Sequence, residues 1–542
     1  MKKKACNKLN NIVISILVAV LIFVVYRLIF PVYSISQEDY CMRSIVTGRG
    51  MSGDTHIVFS STILGTIAKF LYSLFDIKCW EYMQIGLILL AFIDLNLLII
   101  KKNDLNSVLV MTLINVVLGL RLYTLIDYKT TAMFVGCVGL SNIALGNKEQ
   151  HTWIWIAENI VGIIFSAFSA LYSWRISIIC VLFILPVFIG NIERQSQKKR
   201  NIINRVVWIV PYLLILIGVS VSQSVYYSDG KWEQWQEYYK AYSDIQEHGV
   251  PDWEEYKEAY EELGLSENDV LILASNIAQD ENVFQEDVIV KISQIRGYDE
   301  NVLDNEFWQS FLEGMIYGSF AIMVVGTFII YFWTATRKDI KYLLYSLILC
   351  ATLMAFGYIQ GGMILMQQAY YAVVIGEVIF LMDSIEFVKL HRKDGINSVV
   401  KCLSVSVLAL CLIYNYMDTT ASEVLSDEQK IVFSEIMEEL SADETRVYCL
   451  YENNLYNYLL TTDIELPDNV WILDESIKNL PNKKQIDLQD LYKQKDVYFV
   501  TDNDLMVWTM YNYLNEHTTD RVDVLCVEEA LNYKVIKYTV NE

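Results

Sequence analysis

The chain is short of the residues that interrupt helices. Only six prolines occur in 542 residues, while hydrophobic residues make up 54% of the sequence and mean hydropathy is +0.31. Scarce proline with so much apolar sequence is the profile of a polytopic helical membrane protein with soluble appendages. Histidine is rarer still, at five. The ten cysteines fall mostly in apolar runs, where a buried thiol serves packing. Cys41 with Cys79, and Cys449 with Cys526, lie outside those runs and are the candidate disulfides. No internal repeat or low-complexity segment is present. The C-terminal part has neither a Gly-rich phosphate loop nor a nucleophile elbow, so it is assigned no catalytic role.

Acidic charge is abundant but unevenly placed. The net charge is −22, yet residues 226–311 and 416–542 each carry net −16. The rest of the chain is therefore basic. Under the positive-inside rule the basic loops mark the cytoplasm and the acidic portions lie outside. The cytoplasmic loops are then Lys101-Lys102, Gly146–Gln150, Arg194–Arg205, Arg337–Lys341 and Lys389–Lys401. No nucleic-acid partner is expected.

Residues Ile12–Phe30 form an apolar run long enough to cross a bilayer at about 1.5 Å per residue. Lys2, Lys3, Lys4 and Lys8 hold its N-terminus in the cytoplasm. It lacks a small-residue cleavage site and reads as an anchor. Further spans are expected near 81–100, 105–122, 130–146, 152–172, 176–192, 204–225, 312–333, 341–358, 368–388 and 398–416, eleven in all. Ile57–Phe75 is read as a helix lying at the outer interface, because counting it as a span would invert every later basic loop. The expected fold is an α-helical polytopic membrane protein with a small helical extracytoplasmic insert and a C-terminal extracytoplasmic α/β domain. Its parts are a transmembrane module at 1–225 with a first outer loop at 35–80, the insert at 226–311, further transmembrane helices at 312–416, and the α/β domain at 417–542.

In the insert, Trp232, Trp235, Tyr238, Tyr239 and Tyr242 form an aromatic stripe. It either stacks on sugars or the membrane surface, or forms the insert's own core, and the core reading is preferred. A turn at His248–Asp252 precedes a helix from Trp253 to Leu263; Gly264 ends it, and Ser266 with Asp269 makes a capping box for the next helix. In the last domain, Val447–Tyr451, Trp471–Leu473, Val497–Val500 and Val522–Val527 read as strands around a helix at Asp504–Glu516. A parallel sheet is expected, with Lys534–Val540 as a closing edge strand.

Chemistry is sought first in Glu38 and Asp39, adjacent carboxylates just after the first span. A carboxylate there can serve as general base for an acceptor hydroxyl or hold a divalent cation against a lipid-linked phosphate; a solvated loop acid is the plain alternative. Asp54 and His56 follow in the same loop, with His56 at the start of the interfacial helix. His56 suits orienting a carboxylate, binding a metal or hydrogen-bonding a phosphate, or simply ordering the loop. Arg43 and Arg49 flank these groups, and Arg175 follows Trp174 at the outer end of the sixth span; each suits phosphate or ordinary interfacial anchoring. Asp127 and Lys129 lie in the short outer loop Tyr123–Thr131, which can approach the first loop. Within the spans Asp94, Glu158, Glu377 and Asp383 are costly unless paired or facing a cavity.

An acidic pair after the first span, a long outer loop between the first two spans and a large insert after the seventh resemble the GT-C superfamily of membrane glycosyltransferases. The matching stretches are Glu38–Tyr40, Asp54–Phe59, Tyr128–Ala132, Trp174-Arg175 with Pro186, and His248–Glu255 leading to Gly264–Asp269. The resemblance covers roughly residues 30–270 and includes poorly characterised bacterial membrane proteins. It implies a multi-pass protein of the cytoplasmic membrane that transfers a sugar from a polyprenyl-phosphate donor to an outer glycan, lipid or cell-envelope acceptor, contacting membrane lipid throughout. It makes Asp39 the catalytic carboxylate and Glu38 its helper or a metal ligand. Arg175, Arg43 and Arg49 would bind the donor phosphate, with Asp54, His56, Asp127 and Lys129 in support. Any metal would be a divalent ion on Glu38, Asp39 and His56. The competing classes are a lipid-linked glycan transporter or flippase, to which Gly361-Gly362 and Glu377 point, a polysaccharide polymerase or ligase, and a non-enzymatic envelope sensor or scaffold.

Overall fold

The computed structural model describes residues 2–295 and 427–540 apart from short breaks, the longest at 452–468. In chain order the elements are α1 (Lys2–Ile29), β1 (Tyr33–Ser34), α2 (Gln37–Thr47), α3 (Thr62–Leu74), α4 (Cys79–Ile100), α5 (Leu105–Thr124), β2 (Leu125–Ile126), α6 (Tyr128–Leu145), α7 (Thr152–Tyr172), α8 (Trp174–Arg194) and α9 (Lys198–Tyr226). There follow α10 (Gly230–His248), α11 (Trp253–Glu262), α12 (Glu267–Ala274) and α13 (Glu286–Ile295). After residue 426 come α14 (Asp427–Ala442), β3 (Val447–Leu450), β4 (Val470–Ile472), β5 (Val497–Thr501), α15 (Asp504–His517), β6 (Val522–Ala530) and β7 (Tyr533–Val540). The chain divides into two compact units. One contains Met1–Ser36 and Val58–Gln223; the other contains Gln37–Ile57 with the described parts of Ser224–Asn301 and Val424–Glu542.

The first unit is a helical bundle. Helices α1 and α4 to α9 occupy the places of the first seven expected spans. Among the described residues four segments are long and apolar enough to cross a membrane: Asn10–Ile29, Cys79–Ile100, Trp155–Tyr172 and Val206–Tyr226. The protein is accordingly a polytopic helical membrane protein. The expected spans at 312–333, 341–358, 368–388 and 398–416 lie outside the described residues. Helix α3 has 13 residues, about 20 Å of rise, against a hydrocarbon core of about 30 Å. It is too short to cross. Its cap is Ser61, whose hydroxyl accepts from Leu64 N at 3.2 Å, so His56 precedes the helix rather than starting it.

Helix α6 is the buried axis of this bundle, with every residue from Thr131 to Ala144 inside it. It approaches α7 at a pair of glycines. A Cβ on Gly139 would lie 2.7 Å from the Gly162 carbonyl oxygen, and a Cβ on Gly162 would lie 2.7 Å from that of Gly139. Helices in lipid gain little from hydrophobic transfer against one another, so close backbone approach and polar bridges do more of the work. The bridges are present: Asn115 Nδ2 donates to Asn96 Oδ1 at 2.5 Å, and Asn96 Nδ2 to Ser15 O at 3.2 Å, tying α5, α4 and α1. Asp94, expected to need a partner, accepts from Asn142 Nδ2. Apolar side chains face outward on the outer helices, as with Leu17 and Leu28 of α1 and Leu214 and Val225 of α9.

The second unit has one continuous core, to which the insert gives Tyr242, Tyr260, Ile272 and Phe284 and the C-terminal domain gives Phe499, Met510, Tyr513 and Leu514. Of the aromatic stripe, Trp232, Trp235, Tyr238 and Tyr242 are buried and Tyr239 is half-buried, and Tyr238 and Tyr242 belong to this core. The capping box of Ser266 and Asp269 forms. The sheet runs β4-β3-β5-β7-β6, with β3 parallel to β4 and β5, and β7 antiparallel to β5 and β6. It is therefore mixed, and β7 is an inner strand instead of the expected edge. The burial explains the order: Val535, Ile536 and Tyr538 of β7 are buried, whereas β6 exposes Leu525, Cys526, Val527 and Glu528. Cys449 on β3 and Cys526 on β6 are separated by two strands, about 14 Å at about 4.8 Å spacing. A disulfide reaches only about 7 Å between Cα atoms. None of Cys41, Cys79, Cys449 and Cys526 is in a disulfide.

Candidate functional site

Glu38 and Asp39 lie in the first turn of α2, where the helix dipole favours the ionised carboxylate. They differ in burial. Glu38 is half-buried, while Asp39 is only 1% exposed, alongside Met42 at 0% and Val46 at 3%. Asp39, Met42 and Val46 share one helical face, and Arg43 follows Asp39 by one turn. The Arg43 guanidinium sits 5.4 Å from the centre of the Tyr40 ring.

The loop after α2 folds back on that helix. Asp54 N donates to Ile45 O at 2.9 Å, and a Cβ on Gly53 would meet Val46 O at 2.7 Å. Only glycine allows so close a return. Asp54 Oδ1 then accepts from Thr55 N at 2.6 Å, His56 N at 3.1 Å and His56 Nδ1 at 2.7 Å. The other ring nitrogen of His56 lies 3.3 Å from Tyr226 O. Both partners are acceptors, so the doubly protonated ring satisfies both. The pKa of His56 is raised, first by the Asp54 hydrogen bond and in spite of burial. The ring stacks on Trp232 at 4.4 Å and 17°, with Tyr227 edge-on at 5.2 Å. The structure thus brings Asp54 and His56 together and fixes them against the aromatic start of the insert.

Asp127, Lys129 and Arg175 belong to the first unit. Asp127 caps α6, its Oδ2 accepting from Thr130 N at 2.8 Å and Thr130 Oγ1 at 2.7 Å. Lys129 lies 5.5 Å from the Tyr128 ring. The segment before α6 pairs in parallel with the chain after α1, Tyr33 with Leu125 and Ser34 with Ile126. Arg175, in the first turn of α8, is exposed and lies 5.6 Å from the Trp174 ring. Arg49 lies outside the described residues, as do Glu377 and Asp383.

Two polar groups escaped sequence reasoning. Arg27 ends α1, and its Nη1 is buried without a hydrogen-bond partner among the described residues. The Tyr123 hydroxyl is likewise buried and unpartnered among them. An arginine closing an apolar run looks like an ordinary interfacial anchor in sequence, so nothing there marks Arg27. Of the residues expected to hold a metal, His56 has both ring nitrogens within hydrogen-bond distance of other groups, Asp54 Oδ1 and Tyr226 O. Among the described residues the only trio of such groups with ligand atoms within 4.8 Å of one another is Asp269, Glu516 and His517, and all three are already hydrogen-bonded.

No protein-family model matches the chain, and no curated protein matches it. Solved structures similar to it include two of ArnT from Cupriavidus metallidurans. The apo state is 11% identical, covers 97% of each chain and has a TM-score of 0.42. The one bound to undecaprenyl phosphate is 10% identical, with 97% of each chain covered and a TM-score of 0.37. At these TM-scores no residue role or activity rests on the likeness.

Proposed function

We propose that the protein is a membrane glycosyltransferase that transfers a sugar from a polyprenyl-phosphate-linked donor to an extracytoplasmic glycan, lipid or cell-envelope acceptor. The observation that carries this reading is the burial of Asp39: a solvated loop acid would be exposed, and this one is 1% exposed at a helix N-terminus just after an apolar helix long enough to span a membrane. Burying a carboxylate is costly unless it is compensated, which makes such a group a functional candidate.

In this reading Asp39 removes the proton from the acceptor hydroxyl as its oxygen attacks the anomeric carbon. The bond from that carbon to the phosphate oxygen breaks, polyprenyl phosphate leaves with the electron pair, and the anomeric configuration inverts. Glu38 assists Asp39 electrostatically. Cationic side chains stabilise the leaving phosphate: Arg43, one turn from Asp39, together with Arg175 and Arg27; Arg49 and Lys129 remain further candidates for this role. Asp127 and the Asp54–His56 pair position backbone. The carboxylate acts in this step as a base. The transporter reading rests on Gly361, Gly362 and Glu377, outside the described residues.

The test is transfer from a panel of polyprenyl-phosphate monosaccharides by the full protein in lipid vesicles. Asp39→Asn is expected to lower transfer by about 10²- to 10⁴-fold, the usual reach of a general base, with expression and insertion unchanged. Full activity in that variant would remove Asp39 from the mechanism.

A further inference from the structure

Three acids and one histidine meet where the insert joins the C-terminal domain. Asp269, 0% exposed in α12, uses Oδ2 to accept from Ser266 N at 2.7 Å and closes the capping box. Its Oδ1 lies 2.6 Å from Nε2 of His517, the last residue of α15. Asp280, 1% exposed in the loop after α12, accepts from Tyr513 OH at 2.6 Å. The Tyr513 and His517 rings are 4.7 Å apart. Glu516 completes the junction, accepting from Ser266 Oγ at 2.6 Å and from Asn268 Nδ2 at 2.5 Å.

Without a proton on His517 the junction holds three acids and no cation among the described residues. Asp269 and Asp280 are buried carboxylates and Glu516 adds a third negative charge, while the only basic group paired with them among the described residues is His517. A buried carboxylate needs a cation or several donors. The C-terminal turn of α15 also favours positive charge through the helix dipole.

We propose that His517 is a proton-operated latch: as the imidazolium it is the counter-ion that fastens α12 and the Asp280 loop to α15, and on losing its proton it loosens that contact while the shared apolar core persists. The hydrogen bond from Asp269 raises the pKa of His517, against the effect of burial, with Asp280 and Glu516 adding to the rise. A raised folded pKa means that the fastening is complete below the unfolded value of about 6.5 and is lost as pH rises through the folded value. The pH around this unit would thus set how tightly it is held together.

Hydrogen–deuterium exchange of the full protein in nanodiscs tests this, with rates corrected for intrinsic pH dependence. In the native protein, exchange in 266–284 should rise several-fold between about pH 5.5 and about pH 9, with no matching rise in 286–295. His517→Gln should exchange fast at both pH values. Asp269→Asn, which keeps a side-chain oxygen for the cap, should exchange at a rate that does not depend on pH, and it serves as the second variant if His517→Gln does not fold. Equal protection at both pH values in the native protein, or an unchanged pH dependence in both variants, would overturn the latch.

Discussion

His56 Nδ1 lies 2.7 Å from Asp54 Oδ1, so two residues read as separate site candidates form one hydrogen-bonded pair. The folded pKa of His56 is raised, chiefly by Asp54, so its stabilisation is fully present below about 6.5 and fades as pH rises through the raised value. Thermal unfolding of the native protein minus that of His56→Gln should show a gap that narrows between about pH 6 and about pH 9. A gap constant with pH would mean that the ring is not charged in the folded protein.

Glu38 and Asp39 should separate functionally because they separate in burial. Glu38→Gln, at a half-buried position, should lower transfer by about tenfold or less, well under the loss from Asp39→Asn. Equal losses would make the two carboxylates a single unit.

Arg27 offers a test in which stability and activity move in opposite directions. Its buried Nη1 has no hydrogen-bond partner among the described residues, so Arg27→Met removes an unsatisfied buried donor and should leave the unfolding temperature unchanged or raised. Donor affinity, read as KM for the polyprenyl-phosphate sugar, should weaken. A lowered unfolding temperature with unchanged KM would make Arg27 structural.

Gly162→Ala places a methyl 2.7 Å from the Gly139 carbonyl oxygen in the middle of two packed helices. Overpacking of this kind costs about 1–3 kcal/mol, and the unfolding temperature in detergent should fall accordingly.

Thiol labelling separates the two C-terminal cysteines. Cys526 is exposed and should react with a maleimide without prior reduction. Cys449 is buried, and burial pushes its thiol up to about 12, so it should label only on unfolding. Protection of Cys526 that is lifted by reductant would show a disulfide.

The sequence by itself determined the elements whose signals are local. Apolar runs placed the first seven expected helices, the Ser266–Asp269 spacing placed a capping box, and β-rich runs located the strands at 447, 471, 497 and 522. Each depends on residues within a few positions of one another, where hydropathy and capping chemistry act directly. Tertiary structure decided what depends on distant neighbours. It buried Asp39 but only half-buried Glu38, placed β7 inside the sheet, and set His517 against Asp269, 248 residues away in sequence. Burial and pairing across such separations follow from which surfaces meet in the folded chain, and neither hydropathy nor spacing encodes that for a single polar residue.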